Sequence, residues 1–226
     1  MSIRNYLIFL TLFLAYNQLD ARFHGQPQQK QSFTIMLNPA GDAKHTGRQI
    51  GDSFERSITM LYVEQLKQQL ENTYPGVSVI LTRFPGENVP ELQNANFANR
   101  LAVDLFVSFH FYMETETKPN LFIYSFSYNN AFITNPADFA FYSYDQAYLF
   151  NQKITKLWTQ NIYKSLQDYS SLFTVHDTLY FPFKPLIGIT SPALAIEASI
   201  KETQDWNTYI EPLVHALGSI IKTNIN

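Results

Sequence analysis

Three ionisable side chains stand beside short apolar segments that are far apart in the sequence, and their types suit metal binding and proton transfer. Glu55 opens a predicted helix, His110 follows the largely apolar residues 104–109, and Glu197 follows the apolar residues 192–196. Imidazole and carboxylate groups are ordinary zinc ligands, and a carboxylate also takes and returns protons during hydrolysis. The three residues are therefore candidates for one hydrolytic site, provided that the fold brings them together.

The hydrophobic pattern alternates between strand-like and helix-like segments along the chain. Strands are predicted at 33–37, 77–82, 104–111, 121–126 and 192–196, and helices at 54–70, 94–103, 148–166 and 210–221. This alternation predicts one α/β domain with a twisted, mainly parallel sheet and helices on both faces. Because ligands bind outside the carboxyl ends of such strands, we expect residues 38–42, His110 and Glu197 to converge there.

A segment rich in aromatic and asparagine residues follows the predicted strand at 121–126 and continues through Tyr144. It is longer than a typical connection between two elements. We therefore predict that it forms a lid or a wall beside the site, and that its Tyr and Phe side chains line a groove.

Length, composition and charge limit the possible classes of protein. The chain has 226 residues, of which 46% are hydrophobic and 15% charged, with 14 Tyr and 19 Phe. This is enough for one domain with its own core and is untypical of a disordered chain. The formal net charge of −3 provides no broad basic field, so no nucleic-acid partner is expected.

The N-terminal segment is typical of an exported protein. Arg4 precedes an apolar run at 6–15 that is short for a membrane span but matches a secretory signal. We predict a signal peptide at 1–21, a polar tether at 22–32 and the folded domain at 33–226, in the periplasm or outside the cell. If the signal peptide stays uncleaved, it is the one expected contact with a membrane. The chain contains 0 Cys and therefore has no disulfide.

The order and spacing of several short motifs resemble the zinc-dependent N-acetylmuramoyl-L-alanine amidases, which remodel bacterial peptidoglycan. That family has a first strand followed by Asp-Pro-Gly-His-Gly-Gly, a Glu at the head of the next helix, a strand ending in Ser-Ile-His and a last strand ending in a catalytic Glu. The segments that match these features in order are 38–42, Glu55, 104–110 and 192–197. In addition, 81–83 resembles a Leu-Thr-Arg motif of the family, and 98–99 resembles its Ala-Asn motif. The resemblance covers roughly the whole chain after the signal peptide.

The resemblance implies a zinc ion held by two His and one Glu, with a water in the open position. Glu55 and His110 match two of these ligands, but Gly41 stands where the family has its first His. Asp42 and His45 are the two candidates for the missing ligand, since either could bind zinc if the loop folds inward.

Three further positions depart from the family pattern. Asn38 and Ala40 replace the family's Asp and Gly, and Asn94 replaces an Arg that the family has before its Ala-Asn motif. We expect the change at Asn94 to affect helix contacts rather than chemistry.

The resemblance also implies a reaction. The substrate is peptidoglycan, the bond is the amide between the lactyl group of N-acetylmuramic acid and L-alanine, and Glu197 is the carboxylate that relays the proton. The alternative is an inactive relative that binds cell-wall fragments or a partner protein, which the lost ligand favours. Stem-peptide preference, oligomeric state and whether the wall is the cell's own are not predicted.

Each candidate residue also has a purely structural interpretation. Glu55, three positions after Asp52, fits a helix-capping box. His110 fits a hydrogen-bonded core residue, His45 a solvated loop residue and Glu197 a solvated strand end. The enzyme hypothesis therefore depends on whether these residues meet.

Overall fold

The structure, a computed structural model, describes residues 32–128 and 143–225. The predicted signal peptide, all but the last residue of the predicted tether and most of the predicted aromatic wall lie outside these ranges. In the described part, no helix has the length and apolar character that a membrane crossing requires.

Strands and helices alternate over most of the described chain. The strands are β1 (Phe33–Pro39), β2 (Gln49–Ile50), β3 (Ser53–Phe54), β4 (Val77–Leu81), β5 (Leu105–Met113), β6 (Asn120–Phe126), β7 (Thr174–Val175), β8 (Leu179–Phe181) and β9 (Ala193–Ile200). The α-helices are α1 (Glu55–Thr73), α2 (Glu91–Arg100), α3 (Gln152–Gln167) and α4 (Ile210–Ile225). Single 3₁₀ turns lie at Ala147–Asn151, Lys184–Leu186 and Asp205–Tyr209.

The main sheet is mixed but mostly parallel. Its strand order is β4-β1-β5-β9-β6-β7, and β8 also pairs with β6. The first four strands in this order are mutually parallel, whereas β6 runs antiparallel to β9. The predicted α/β class with a mainly parallel sheet is therefore confirmed.

Two apolar layers cover the two faces of this sheet. Ile35 and Leu37 of β1 belong to the larger core, which α1, α3 and α4 cover, whereas Met36 belongs to the smaller core with Ala95 and Ala98 of α2. This division follows from the alternation of side chains along a strand. The central strands are thus buried on both faces, as their nearly continuous apolar sequences predict.

The helices differ from the prediction at their ends and in part of their apolar faces. Helix α1 ends just before Pro75, because a residue preceding proline avoids the helical conformation. Helix α2 begins directly after Pro90 and ends at Arg100, three residues earlier at each end than predicted. The periodicity in the predicted helices at 54–70 and 148–166 also placed four residues on apolar, buried faces that the structure exposes: Phe54, Leu61, Ile154 and Leu157.

The strands that carry the site are longer than predicted. β1 extends through Asn38 to Pro39, and β5 and β9 both continue beyond the predicted site residues. His110 and Glu197 therefore do not end their strands, and the prediction of a strand end at each was wrong. The reason is that the residues after His110 and Glu197 continue the pairing of β5 with β9, which keeps both strands extended.

Candidate active site

His110, Glu55 and Glu197 lie together near the carboxyl edge of β1, which ends opposite Phe109. His110 on β5 is the register partner of Glu197 on β9. The Nδ1 atom of His110 lies 3.4 Å from Oε1 of Glu55, the first residue of α1. The fold thus brings one imidazole and two carboxylates together from three distant segments.

Two backbone N–H groups hold the carboxylate of Glu55 in place. Oε2 accepts a hydrogen bond from the N–H of Arg48 at 3.1 Å, and Oε1 accepts one from the N–H of Phe111 at 3.2 Å. Burial alone would raise the pKa of Glu55, but the hydrogen bonds from His110 and Arg48 hold it below its ordinary value. Asp52 does not form the capping box, because Phe54 occupies the N-cap position without a side-chain hydrogen bond.

A buried chain of hydrogen bonds lies behind His110. Its Nε2 atom is 2.9 Å from Oγ of Ser108, which accepts a hydrogen bond from Nδ2 of Asn38 at 2.9 Å. Oδ1 of Asn38 accepts hydrogen bonds from Thr82 at 2.8 Å and from Nδ2 of Asn94 at 3.1 Å. This chain fixes the imidazole through its second ring nitrogen, as hydrogen-bond partners commonly do for a metal-binding histidine.

The two departures from the family pattern at Asn38 and Asn94 are therefore in contact. Asn94 is buried, lines the cavity described below and donates a hydrogen bond to Asn38, so it contacts the network that reaches His110 as well as its own helix. Within the described residues, its own Oδ1 has no hydrogen-bond partner. An uncharged amide pair occupies the two positions where the family pattern has Asp and Arg.

Two side chains that the sequence analysis did not identify hold the carboxylate of Glu197. Nη1 of Arg48 lies 2.5 Å from Oε1, and the hydroxyl of Tyr124 donates to Oε2 at 2.5 Å. Burial, followed by the hydrogen bond to Glu197, raises the pKa of Tyr124 well above its ordinary value. Burial alone would lower the pKa of Arg48, but its ion pair with Glu197 raises it.

The loop after β1 takes a shape that excludes a side chain at Gly41. Gly41 has a φ of 72°, and a Cβ atom there would lie 2.8 Å from Cβ of Arg56 and 2.9 Å from the carbonyl oxygen of His45. Glycine adopts a positive φ with the least strain, so the backbone conformation of this loop favours glycine at position 41. The family's histidine could not enter this position without a change in the loop.

Asp42 and His45, the two candidates for the missing ligand, are bonded to each other in this loop. Oδ1 of Asp42 accepts hydrogen bonds from the N–H groups of Lys44 at 2.8 Å and His45 at 2.7 Å, and lies 3.2 Å from Nδ1 of His45. Burial alone would raise the pKa of Asp42, but these hydrogen bonds lower it. The side chain of His45 is 79% exposed.

The four candidate metal ligands line one cavity but do not form one ligand set. Asp42, His45, Glu55 and His110 contribute to a cavity of about 390 Å³. The 3.4 Å between Glu55 and His110 fits two positions of a tetrahedral zinc ion, whose neighbouring ligands at about 2.0–2.1 Å are about 3.4 Å apart. In residues 32–128 and 143–225, however, no group of three His, Cys, Asp or Glu side chains is arranged to hold a metal. Glu55 and His110 are therefore spaced as two zinc ligands would be, and neither Asp42 nor His45 completes a set of three with them.

Comparison with known proteins identifies the class of protein to which this chain belongs. The chain belongs to the N-acetylmuramoyl-L-alanine amidase family, whose model matches residues 35–207. The predicted family is thereby confirmed. The family is in general zinc-dependent.

Two individual proteins that are similar to this chain have the following extents of match. N-acetylmuramoyl-L-alanine amidase CwlM of Bacillus licheniformis is 32% identical over 76 residues, which are 34% of this chain and 30% of that protein. The match thus spans less than a third of that relative. A solved N-acetylmuramoyl-L-alanine amidase of Clostridium difficile 630 has a TM-score of 0.62 at 14% identity, covering 86% of this chain and 99% of the other.

A second solved structure has the same fold. It is the catalytic domain of CwlV, the N-acetylmuramoyl-L-alanine amidase of Bacillus (Paenibacillus) polymyxa var. colistinus, with a TM-score of 0.61 at 14% identity. The match covers 84% of this chain and 98% of that domain. At this identity, the two solved structures bear on the fold alone.

Proposed function

We propose that this protein is an exported N-acetylmuramoyl-L-alanine amidase that hydrolyses the amide between N-acetylmuramic acid and L-alanine in peptidoglycan. The observation that supports it most directly is the meeting of Glu55, His110 and Glu197 at one edge of the sheet in a chain of this family. Export rests on the predicted signal peptide at 1–21 and on a substrate that lies outside the cytoplasm. The proposed location is the periplasm or the cell exterior.

We propose zinc as the metal, held by Glu55 and His110. Asp42 or His45 is the proposed third ligand, since both line the same cavity and belong to one short loop. Their present hydrogen bonds would have to open for this to happen. When bound, such an ion polarises a carbonyl group and lowers the pKa of a water molecule.

The chain's own residues account for the proton transfers. Glu197 takes a proton from the attacking water and returns it to the nitrogen of L-alanine as the amide bond breaks, so that water and the amide give a carboxylic acid and an amine. The hydrogen bonds from Arg48 and Tyr124 fix the direction of the Glu197 carboxylate. Ser108 and Asn38 hold the imidazole of His110 from behind.

The alternative of an inactive binding protein is not favoured. A fold that had lost its chemistry would have no need to hold Glu197 with two short contacts, or to orient His110 through a buried chain. The altered first ligand remains the argument for that alternative.

The experiment that tests the proposal is hydrolysis of purified muramyl peptides by the chain from residue 22 onward, with zinc supplied. Release of free L-alanine amino groups, together with an intact glycan, is the expected result. Cleavage of the glycan instead, or no reaction on fragments of any stem-peptide length, would contradict the proposal.

A further inference from the structure

The contact between Arg48 and Glu197 links two segments that are distant in the sequence. Arg48 lies at the end of the loop between β1 and β2, and Glu197 lies on β9. The Glu197 side chain is 13% exposed and that of Arg48 is 51% exposed. The ion pair therefore lies at the border between the buried sheet and the open site.

Arg48 has several further contacts, which limit how its side chain can move. Its N–H donates to Oε2 of Glu55, its Nη1 also lies 3.5 Å from the carbonyl oxygen of Phe111, and its guanidinium lies 5.5 Å from the ring centre of Tyr112. A guanidinium group stacks on aromatic rings and forms directional hydrogen bonds, so these contacts fix its plane as well as its position.

We propose that Arg48 is a positioning residue that, together with Tyr124, holds the Glu197 carboxylate in the orientation needed for proton transfer. The proposal rests on the proposed amidase function. Arg48 forms an ion pair with Oε1 of Glu197, and Tyr124 donates a hydrogen bond to Oε2. The carboxylate therefore cannot rotate without breaking one of these contacts. A carboxylate has about four acceptor positions, so one at each oxygen stays open for a proton.

Arg48 also contacts the second carboxylate of the site, that of Glu55, through its backbone N–H. The same residue fixes Glu55 through its N–H and Glu197 through its side chain. Substitution of the side chain leaves the N–H in place, so the role at Glu197 is separable from the role at Glu55.

The test compares Arg48→Met, Arg48→Lys and Arg48→Ala with wild type on a soluble muramyl peptide. A misplaced catalytic group costs about 100-fold in rate, so Arg48→Met should lose about that factor in kcat with KM almost unchanged. Arg48→Lys should have a kcat between those of Arg48→Met and wild type. Guanidinium chloride added at a non-denaturing concentration should raise the kcat of Arg48→Ala, whereas tetramethylammonium chloride should not. Arg100→Ala, which removes an exposed arginine on α2, is the matched control.

A second measurement does not depend on catalysis. In a double-mutant cycle of Arg48→Met and Glu197→Gln, the effect of Arg48→Met on the unfolding constant should shrink about threefold when Glu197 is already replaced. Strict additivity in this cycle, or an active Arg48→Met with wild-type kcat, would overturn the positioning role. An inactive wild type would instead overturn the amidase function, and the cycle would still decide whether Arg48 holds Glu197.

Discussion

His110 and Glu197 are direct partners on the neighbouring parallel strands β5 and β9, and each strand continues for three residues beyond them, to Met113 and Ile200. Adjacent parallel strands lie about 4.8 Å apart, so this pairing fixes the separation of the two backbones regardless of loop conformation. The candidate base and the candidate metal ligand are thus held by two paired strands of the main sheet, whereas Asp42 and His45 are held by a loop.

Replacement of Glu197 by Gln should abolish turnover and spare the fold. We expect a loss of at least about 100-fold in kcat, because general acid–base catalysis contributes about 10²–10⁴-fold. The amide can still accept from Tyr124, so the midpoint of thermal unfolding should change little. Glu211→Gln on the exposed side of α4 is the matched control, and near-normal turnover of Glu197→Gln would remove Glu197 from the mechanism.

Metal content should depend on Glu55 and His110 and on one of the two loop residues. We expect about one zinc per chain by elemental analysis of the protein from residue 22 onward, and loss of zinc in Glu55→Ala and His110→Ala. Either Asp42→Ala or His45→Ala should also reduce it, since a protein site for catalytic zinc has three ligands.

His176→Ala is the matched control for the metal series. His176 is bonded to Asn120 and stacked on Phe122, and it does not line the cavity that contains His110. It should therefore keep the zinc content of the wild type. Equal zinc in all five variants would mean that the metal binds elsewhere.

The α/β class with a mainly parallel sheet followed from hydrophobic periodicity, because β1, β5 and β9 have nearly continuous apolar sequences and alternate along the chain with helical segments. The meeting of His110 with Glu197 was predictable for the same reason. Arg48 and Tyr124 were not predicted as site residues. Arg48 lies in a loop, and the pattern that predicts a strand at 121–126 does not show that Tyr124 faces Glu197. Their contacts with Glu197 depend on how that loop and the antiparallel strand β6 pack against β9.

The contact between Asn38 and Asn94 shows a second limit of reading the sequence alone. Each residue separately differs from the family pattern, and one chain without an alignment gives no sign that the two positions touch. Their contact depends on the packing of α2 against β1, which propensity does not determine.

Restoring a side chain at Gly41 should destabilise the protein more than the same change at another left-handed glycine. Gly41 and Gly86 have φ values of 72° and 88°, but a Cβ at Gly86 has no atom within 4 Å. Gly86→Ala should therefore cost about 1 kcal/mol from backbone strain alone, and Gly41→Ala about 1–3 kcal/mol more from its close contacts. Urea unfolding measures both, and equal costs would mean that the loop relaxes freely.

Charges at Asn38 and Asn94 should destabilise the protein less in combination than the sum of their separate effects predicts. Asn38→Asp places a carboxylate among buried amides and should cost about 3 kcal/mol or more, and Asn94→Arg should cost a similar amount. The double variant should be at least about 1 kcal/mol more stable than the sum of the two costs predicts, since the two charges then pair.

The control for this double variant combines Asn38→Asp with Asn96→Arg. Asn96 is an exposed residue on α2. These two changes should be additive in urea unfolding, because an arginine on the exposed side of α2 remains solvated. If the Asn38→Asp and Asn94→Arg pair is also additive, the contact between the two residues carries no energetic coupling. Coupling would instead mean that Asn38 and Asn94 contribute to stability jointly, through the buried network that reaches His110.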